Sequence, residues 1–435
     1  MRSSSRILAL VSAVLACASF ARAQSIYEKD YHFAVEEVGK ACGALIAQKG
    51  IDWKAVDKEL APAAAAAASD QDHLVVLTRL LARLHDGHCE VLRTDKTKDL
   101  TWPSDGQGEK VGCGMFWCRV GKKIYVKTVW NNAESAGVER GWEVLAVAGV
   151  PVQKWLDQRI ASLRDTLSFS TDNQAFFYAC HRGLAEPTGS SVEYEFKDEK
   201  GAKKKRSVSF TKCNPAPWGP AVFPPDLKGT DDLNFGPLKS GFGYVHVRRC
   251  KDTLATQIDQ ALAAVGSAKG LILDFRGNSG GSFDHEDFMG RFVPKGTTLR
   301  GQAGVEYAST GEHPYTGPIV VIVDATIVSA GESGSGIFKE DGRGYMIGES
   351  PTAGMSSQKT EIALPSGLFK LFVSIGTNKG RFNGGKGIEG IGVIPNELVE
   401  FDPKDLSKGV DTLIAKAEAL LAKFPQNSVP YRPPK

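Results

Sequence analysis

The chain has 435 residues, 42% of them hydrophobic and 24% charged, and 53 basic side chains against 50 acidic ones give a net charge of +3. That length suits two or three domains with sizeable cores. The composition excludes a disordered or collagen-like chain, and so mild a charge argues against nucleic acid as a partner.

The first residues read as an address. "MRSSSR" is a basic n-region, "ILALVSAVLA" an apolar h-region and "ARA" before Gln24 a small-residue cleavage site. Residues 1–23 are therefore expected to be a secretory signal peptide. A second reading is a lipoprotein box, "VLAC", which would leave a lipid anchor at Cys17. No later apolar run reaches the roughly 18 residues a membrane span needs, so no integral membrane segment is expected after signal removal. The expected location is periplasmic or secreted. Export permits disulfides, but Cys42, Cys89, Cys113, Cys118, Cys180, Cys213 and Cys250 are seven, so at least one thiol stays unpaired. Their spacing fits no zinc site, and neither a metal nor an organic cofactor is expected.

Residues 24–105 read as helical. Leu74, Leu77, Leu81 and Leu84 recur on one helix face, Asp86-Gly87 breaks it, and His88 follows the break. Residues 106–212 change to short strands with glycine turns. There the basic run Lys203–Arg206 lies between the alternating segments "SVEYEF" and "RSVSF" and is expected at a solvated hairpin tip. Residues 213–231 form a linker; 213–229 hold five prolines. Residues 232–402 are α/β. The strand "FGYVHVRR" precedes a helix with Leu254, Ile258, Ala261, Leu262 and Val265 on one face, and "GLILDFRGNSGG" and "PIVVIVD" read as buried strands. Residues 403–435 add an amphipathic helix and a tail.

Two turns of this α/β region carry chemistry. "DFRGNSGG" and "DATIVSAGE" both follow buried strands, and ligands of such sheets gather at the carboxyl ends of strands. Ser329 in the second turn stands at a helix start, where free N–H groups can receive an oxyanion. Ser-x-x-Glu is also an ordinary capping box, with Glu332 in the capping place. The amides of Gly280 or Gly281, together with that of Ala330, are the candidate oxyanion donors.

The order "DGH", a PDZ-like segment, "DFRGNSGG", "VSAGE", "GES" and "GIGVIPN" resembles the tail-specific, or C-terminal processing, serine peptidases. The resemblance implies a multidomain α/β chain: a helical N-terminal region, a PDZ-like β-rich domain and an α/β catalytic domain of the ClpP/crotonase-like type. It also implies peptide or protein substrates and Ser329 as nucleophile. One branch of the family uses a Lys in G-E-P-T-x-G-K. Here "GESPTAGMSSQK" puts Met355 at that place, with Lys359 four residues on. The tricorn-like branch uses a His from the N-terminal region and a Glu near the domain's end, which match His88 and Glu389. The Ser that precedes the His in that branch is Gly87 here, so Asp86 is a candidate to orient the ring instead. Val111, Gly112, Cys113 and Gly114 resemble the loop that holds a peptide's terminal carboxylate. Trp142 and Ala148 replace the usual Asp and Asn of that domain. The alternative implied is an inactive peptide- or hydrophobe-binding protein on the same scaffold.

Overall fold

Apolar strands that alternate with helices need cover on both faces, and the central sheet has it. The computed structural model describes residues 24–103, 110–213, 219–355, 358–377 and 379–424. The expected signal peptide with Cys17, the linker's residues 214–218 and the tail 425–435 lie outside them. The sheet has seven strands, and its spatial order follows the chain: Lys228–Gly229, Leu233–Pro237, Gly243–Val247, Leu271–Asp274, Ile319–Val323, Tyr345–Gly348 and Glu397–Leu398. The first two pairings are antiparallel and the remaining four parallel. Val245, Leu273 and Val321 pack with Leu254, Ile258 and Ile337 of two helices on one face. Tyr244, Ile272 and Val320 pack under helix Thr412–Leu421 on the other. The expected face of helix Leu254–Val265 is buried at every named position.

Helix Asp70–Ala82 begins where Ser69 accepts the Asp72 amide at 3.1 Å. It buries Leu74, Leu77 and Leu81. The N-terminal region does not close on itself. Glu90–Arg93 pairs antiparallel with Phe369–Ser374, which in turn pairs with Lys359–Ala363. Leu77, Val91 and Leu371 share one core. Residues assigned from the sequence to two regions therefore build one small sheet.

The β-rich unit orders Met115–Val120, Lys123–Val129, Glu143–Val147, Ser191–Lys197 and Lys203–Ser209, with Val150–Pro151 alongside the third. Trp142 is 4% exposed and packs against Phe196 in its core. The run Lys203–Arg206 corrects an expectation: it lies within the last strand, and the turn is Asp198–Ala202. That strand is an edge, where lysines discourage pairing with another chain. Among the described residues no helix is long and apolar enough to cross a membrane.

One buried cation ties the sheet to the last helix. Arg276 is fully buried just before the glycine turn; its Nη2 lies 2.6 Å from Asp274 Oδ2 and its Nη1 2.9 Å from Asp411 Oδ2. Asp411 is also the N-cap of Thr412–Leu421. Removing one partner of such a buried pair strands the other charge. Asp411→Ala is expected to lower unfolding free energy by about 3–5 kcal/mol in urea titrations; a loss under about 1 kcal/mol would remove this pair from the fold's anchors.

Candidate active site

The strand Ile319–Val323 ends, the chain turns, and Ser329 enters helix Ala330–Glu340 with φ 56° and ψ −128°. A non-glycine residue held there costs on the order of 1–3 kcal/mol and persists only when neighbours fix it. Glu332 supplies the fixing. Its Oε1 accepts the Ser329 amide at 3.2 Å and the Met355 amide at 2.8 Å. Its Oε2 accepts Thr352 Oγ1 at 2.5 Å and the Gly354 amide at 2.7 Å. The carboxyl is fully buried, and burial pushes it up to about 7 against the pull of these donors. The capping contact expected of Glu332 is present, and the same group also holds a second loop.

The glycine turn lies against the serine. A Cβ at Gly280 would stand 2.7 Å from Ser329 Cβ and 3.3 Å from its Oγ, so no side chain fits there. Gly280 N–H is already donated to Asn278 Oδ1 at 2.8 Å, which corrects its expected role as a free oxyanion donor. Asn278 is itself held through Nδ2 by the Val247 carbonyl at 2.9 Å. The amides of Gly281 and Ala330 have no acceptor among the described residues.

His88 arrives on a loop pinned from another unit. Asp86 N–H donates to Ser168 Oγ at 2.8 Å, and Gly87 N–H to Ser170 Oγ at 3.0 Å. A Cβ at Gly87 would meet Met355 Sδ and Gln174 Nε2, each at 2.8 Å. The place of the relay serine is thus closed by Met355, the residue that also replaces the lysine of the other branch. Since Met355 N–H binds Glu332, an unbroken set of contacts runs from the His88 loop to Ser329. Among the described residues no hydrogen bond joins Ser329 Oγ to His88.

Five charged or titratable groups share this corner. Lys359 Nζ stands 3.5 Å from His88 Nε2. On the other side, His88 Nδ1 is 3.9 Å from Asp86 Oδ1, too far for a hydrogen bond, and has no partner. Burial, then the Lys359 charge, holds the imidazole down at about 4. Burial also lowers the Lys359 ammonium. Glu389 is brought to Lys49, not to His88: Lys49 Nζ lies 2.9 Å from its Oε1, and its Oε2 is buried without a partner. Burial and the Asp86 charge push Glu389 up to about 8 despite that lysine.

A cleft of about 1180 Å³ opens beside the serine turn. Val111, Gly112, Cys113 and Gly114 line one end, and Gly277, Ser279, Thr326 and Val328 the other. The Gly112 and Gly114 carbonyls are taken by Asn132 Nδ2 and the Trp130 amide, while the amides of both glycines donate to nothing among the described residues.

Comparison with known proteins bears on the α/β part of the chain. Residues 241–399 match peptidase family S41. This chain carries an S41 peptidase domain. The match marks the chain as a serine-type peptidase, and its relatives include C-terminal processing peptidases. It is 24% identical over 336 residues to a carboxyl-terminal-processing protease of Picosynechococcus sp., covering 74% of this chain and 72% of that one. It is 25% identical over 341 residues to the chloroplastic C-terminal processing peptidase of Tetradesmus obliquus, covering 76% and 68%. Among solved structures, mature CPAF complexed with lactacystin superposes with a TM-score of 0.66 at 13% identity, covering 92% of this chain and 99% of that one. That last likeness is one of fold.

Four residues around this candidate site escaped the sequence reading. Lys49, Ser168, Ser170 and Gln174 sit in helices and loops far along the chain from His88, and nothing in "AQKG" or "SFSTDNQ" marks them. The imidazole should stay neutral at pH 7 and titrate near 4 when followed by NMR of its ring. The neutral ring's stability is present above the unfolded value of about 6.5 and lost as pH falls toward the folded one. Lys359→Met removes the neighbouring cation and is expected to move the titration upward; no shift, or a downward one, would show that Lys359 does not act on the ring.

Proposed function

We propose that this S41 domain cleaves peptide bonds with Ser329 as nucleophile and His88 as general base, the tricorn-like arrangement. The observation that carries the reading is the strained Ser329 turn, with Gly280 against its Oγ and free amides at Gly281 and Ala330. Ser329 Oγ attacks the substrate carbonyl as its proton passes to His88 Nε2, which a serine needs in order to be nucleophilic. The oxyanion is received by the Ala330 and Gly281 amides, and Gly280 contributes closeness in place of a donor. His88 then protonates the leaving amine, and water releases the acyl group by the same steps reversed. The resting contact with Lys359 must yield when substrate arrives, because Nε2 cannot accept from both. Asp86, the nearer carboxylate, orients the ring; Glu389 with Lys49 shapes the field around it.

The remaining parts extend this reading. Residues 106–212 form a PDZ-like unit whose 111–114 loop receives a peptide carboxylate, which the free Gly112 and Gly114 amides support. Residues 232–402 are the catalytic domain of the ClpP/crotonase-like type. The leader at residues 1–23 directs the chain to export, where its substrates are peptides or unfolded proteins.

A second reading is favoured by one contact, Lys359 Nζ against His88 Nε2. In it, a lysine lowered by burial takes the serine proton and His88 supports it. Ser329→Ala should abolish hydrolysis of an unfolded protein substrate, by about 10⁴-fold or more, with unchanged folding; residual activity near wild type would sink the nucleophile assignment. His88→Ala should cost about 10³-fold and Lys359→Met far less under the first reading; the reverse order would make Lys359 the base.

A further inference from the structure

We propose that this peptidase prefers substrates whose stretch between the scissile bond and the C-terminus is acidic, an inference that rests on the serine peptidase reading above. The cleft joins the serine turn to the 111–114 loop. A peptide cut at Ser329 with its carboxylate at that loop would lay its C-terminal residues along the cleft.

The walls there are cationic. Lys110, Arg182, Lys212, Arg248 and Arg249 line it, and Asp231 is the one lining carboxylate among the described residues. Among the described residues, the carboxylates beside Arg248 and Arg249 do not cancel the charge of this arginine pair. Arg248 donates Nη1 to the backbone carbonyl of Asp231 at 3.2 Å; among the described residues no carboxylate is within ion-pair reach of it, and its buried Nε has no acceptor. Arg249 shares Asp232 with Lys251: Oδ1 lies 3.8 Å from Arg249 Nε and Oδ2 2.5 Å from Lys251 Nζ, two cations on one acid. Glu186, the strand partner of Val111, is paired with Arg159 at 3.3 Å. The Arg248 carbonyl accepts the Ser279 amide at 3.0 Å, so the arginine pair is fixed to the glycine turn that faces the nucleophile.

Single exposed charges contribute little, but several of one sign along a cleft raise the local concentration of an opposite charge and exclude the wrong sign. The preference should therefore be a salt-sensitive difference in kcat/KM between acidic and basic tails.

The test digests a library of peptides with free carboxyl ends and reads cut sites by mass spectrometry, for the wild type and for Arg249→Glu, a surface change. A serine-reactive phosphonate, applied to the wild type, reports separately on Ser329. The expected result is Asp and Glu enriched about fivefold or more after the cut site, shrinking at about 0.5 M salt, with Lys and Arg gaining in the variant. Cut sites without acidic enrichment, or enrichment unchanged in Arg249→Glu, while Ser329 labels, would overturn the inference and leave the peptidase reading intact. No cutting together with no labelling would overturn the peptidase reading, and this inference with it.

Discussion

The four hydrogen bonds into one buried carboxylate, Glu332, hold the site together. Two go to backbone amides of Gly354 and Met355, one to the Thr352 hydroxyl and one to the amide of Ser329 itself. The serine's unfavourable backbone angle, the helix start and the 352–355 loop are all fixed by the same two oxygens. A lone buried carboxyl is costly, and its cost is met here only because every lone pair of use finds a donor. Met355 then transmits the constraint to the Gly87 loop by filling the space a side chain there would need.

Around that rigid centre not every charged or titratable group is engaged. Lys49 answers Glu389, Lys359 faces the ring of His88, and Asp86 spends one oxygen on the His88 amide. Its second oxygen, like His88 Nδ1, has no partner. A ring so placed is kept neutral, and under the proposed mechanism its imidazolium would find Asp86 within a small movement. Ionic partners elsewhere, as in Arg276 with Asp274 and Asp411, are fully spent on the fold.

Much of this was legible in the sequence, for physical reasons. Leucine spacing marks Asp70–Ala82, since a helix buries one face, and unbroken apolar runs mark Leu271–Asp274 and Ile319–Val323, since a covered sheet buries both. Gly280 and Gly281 were legible because only glycine tolerates the approach of Ser329 and of the Cys250 carbonyl. The Lys203–Arg206 run was misplaced because charge reports solvent exposure, which an edge strand and a turn share. The donor role given to Gly280 failed because the Asn278 side chain could not be oriented from its neighbours. Lys49 and the Ser168 and Ser170 hydroxyls were invisible, since only the folded chain brings them to His88.

The pairing of Glu90–Arg93 with Phe369–Ser374 has a consequence for biogenesis. His88 stands two residues before a strand whose partner is made near the end of the chain. A nascent fragment that stops short of that partner lacks this pairing, although Ser168 and Ser170 can already hold the preceding loop. A growing chain can join the His88 segment to this partner strand only once residues 369–374 have been made.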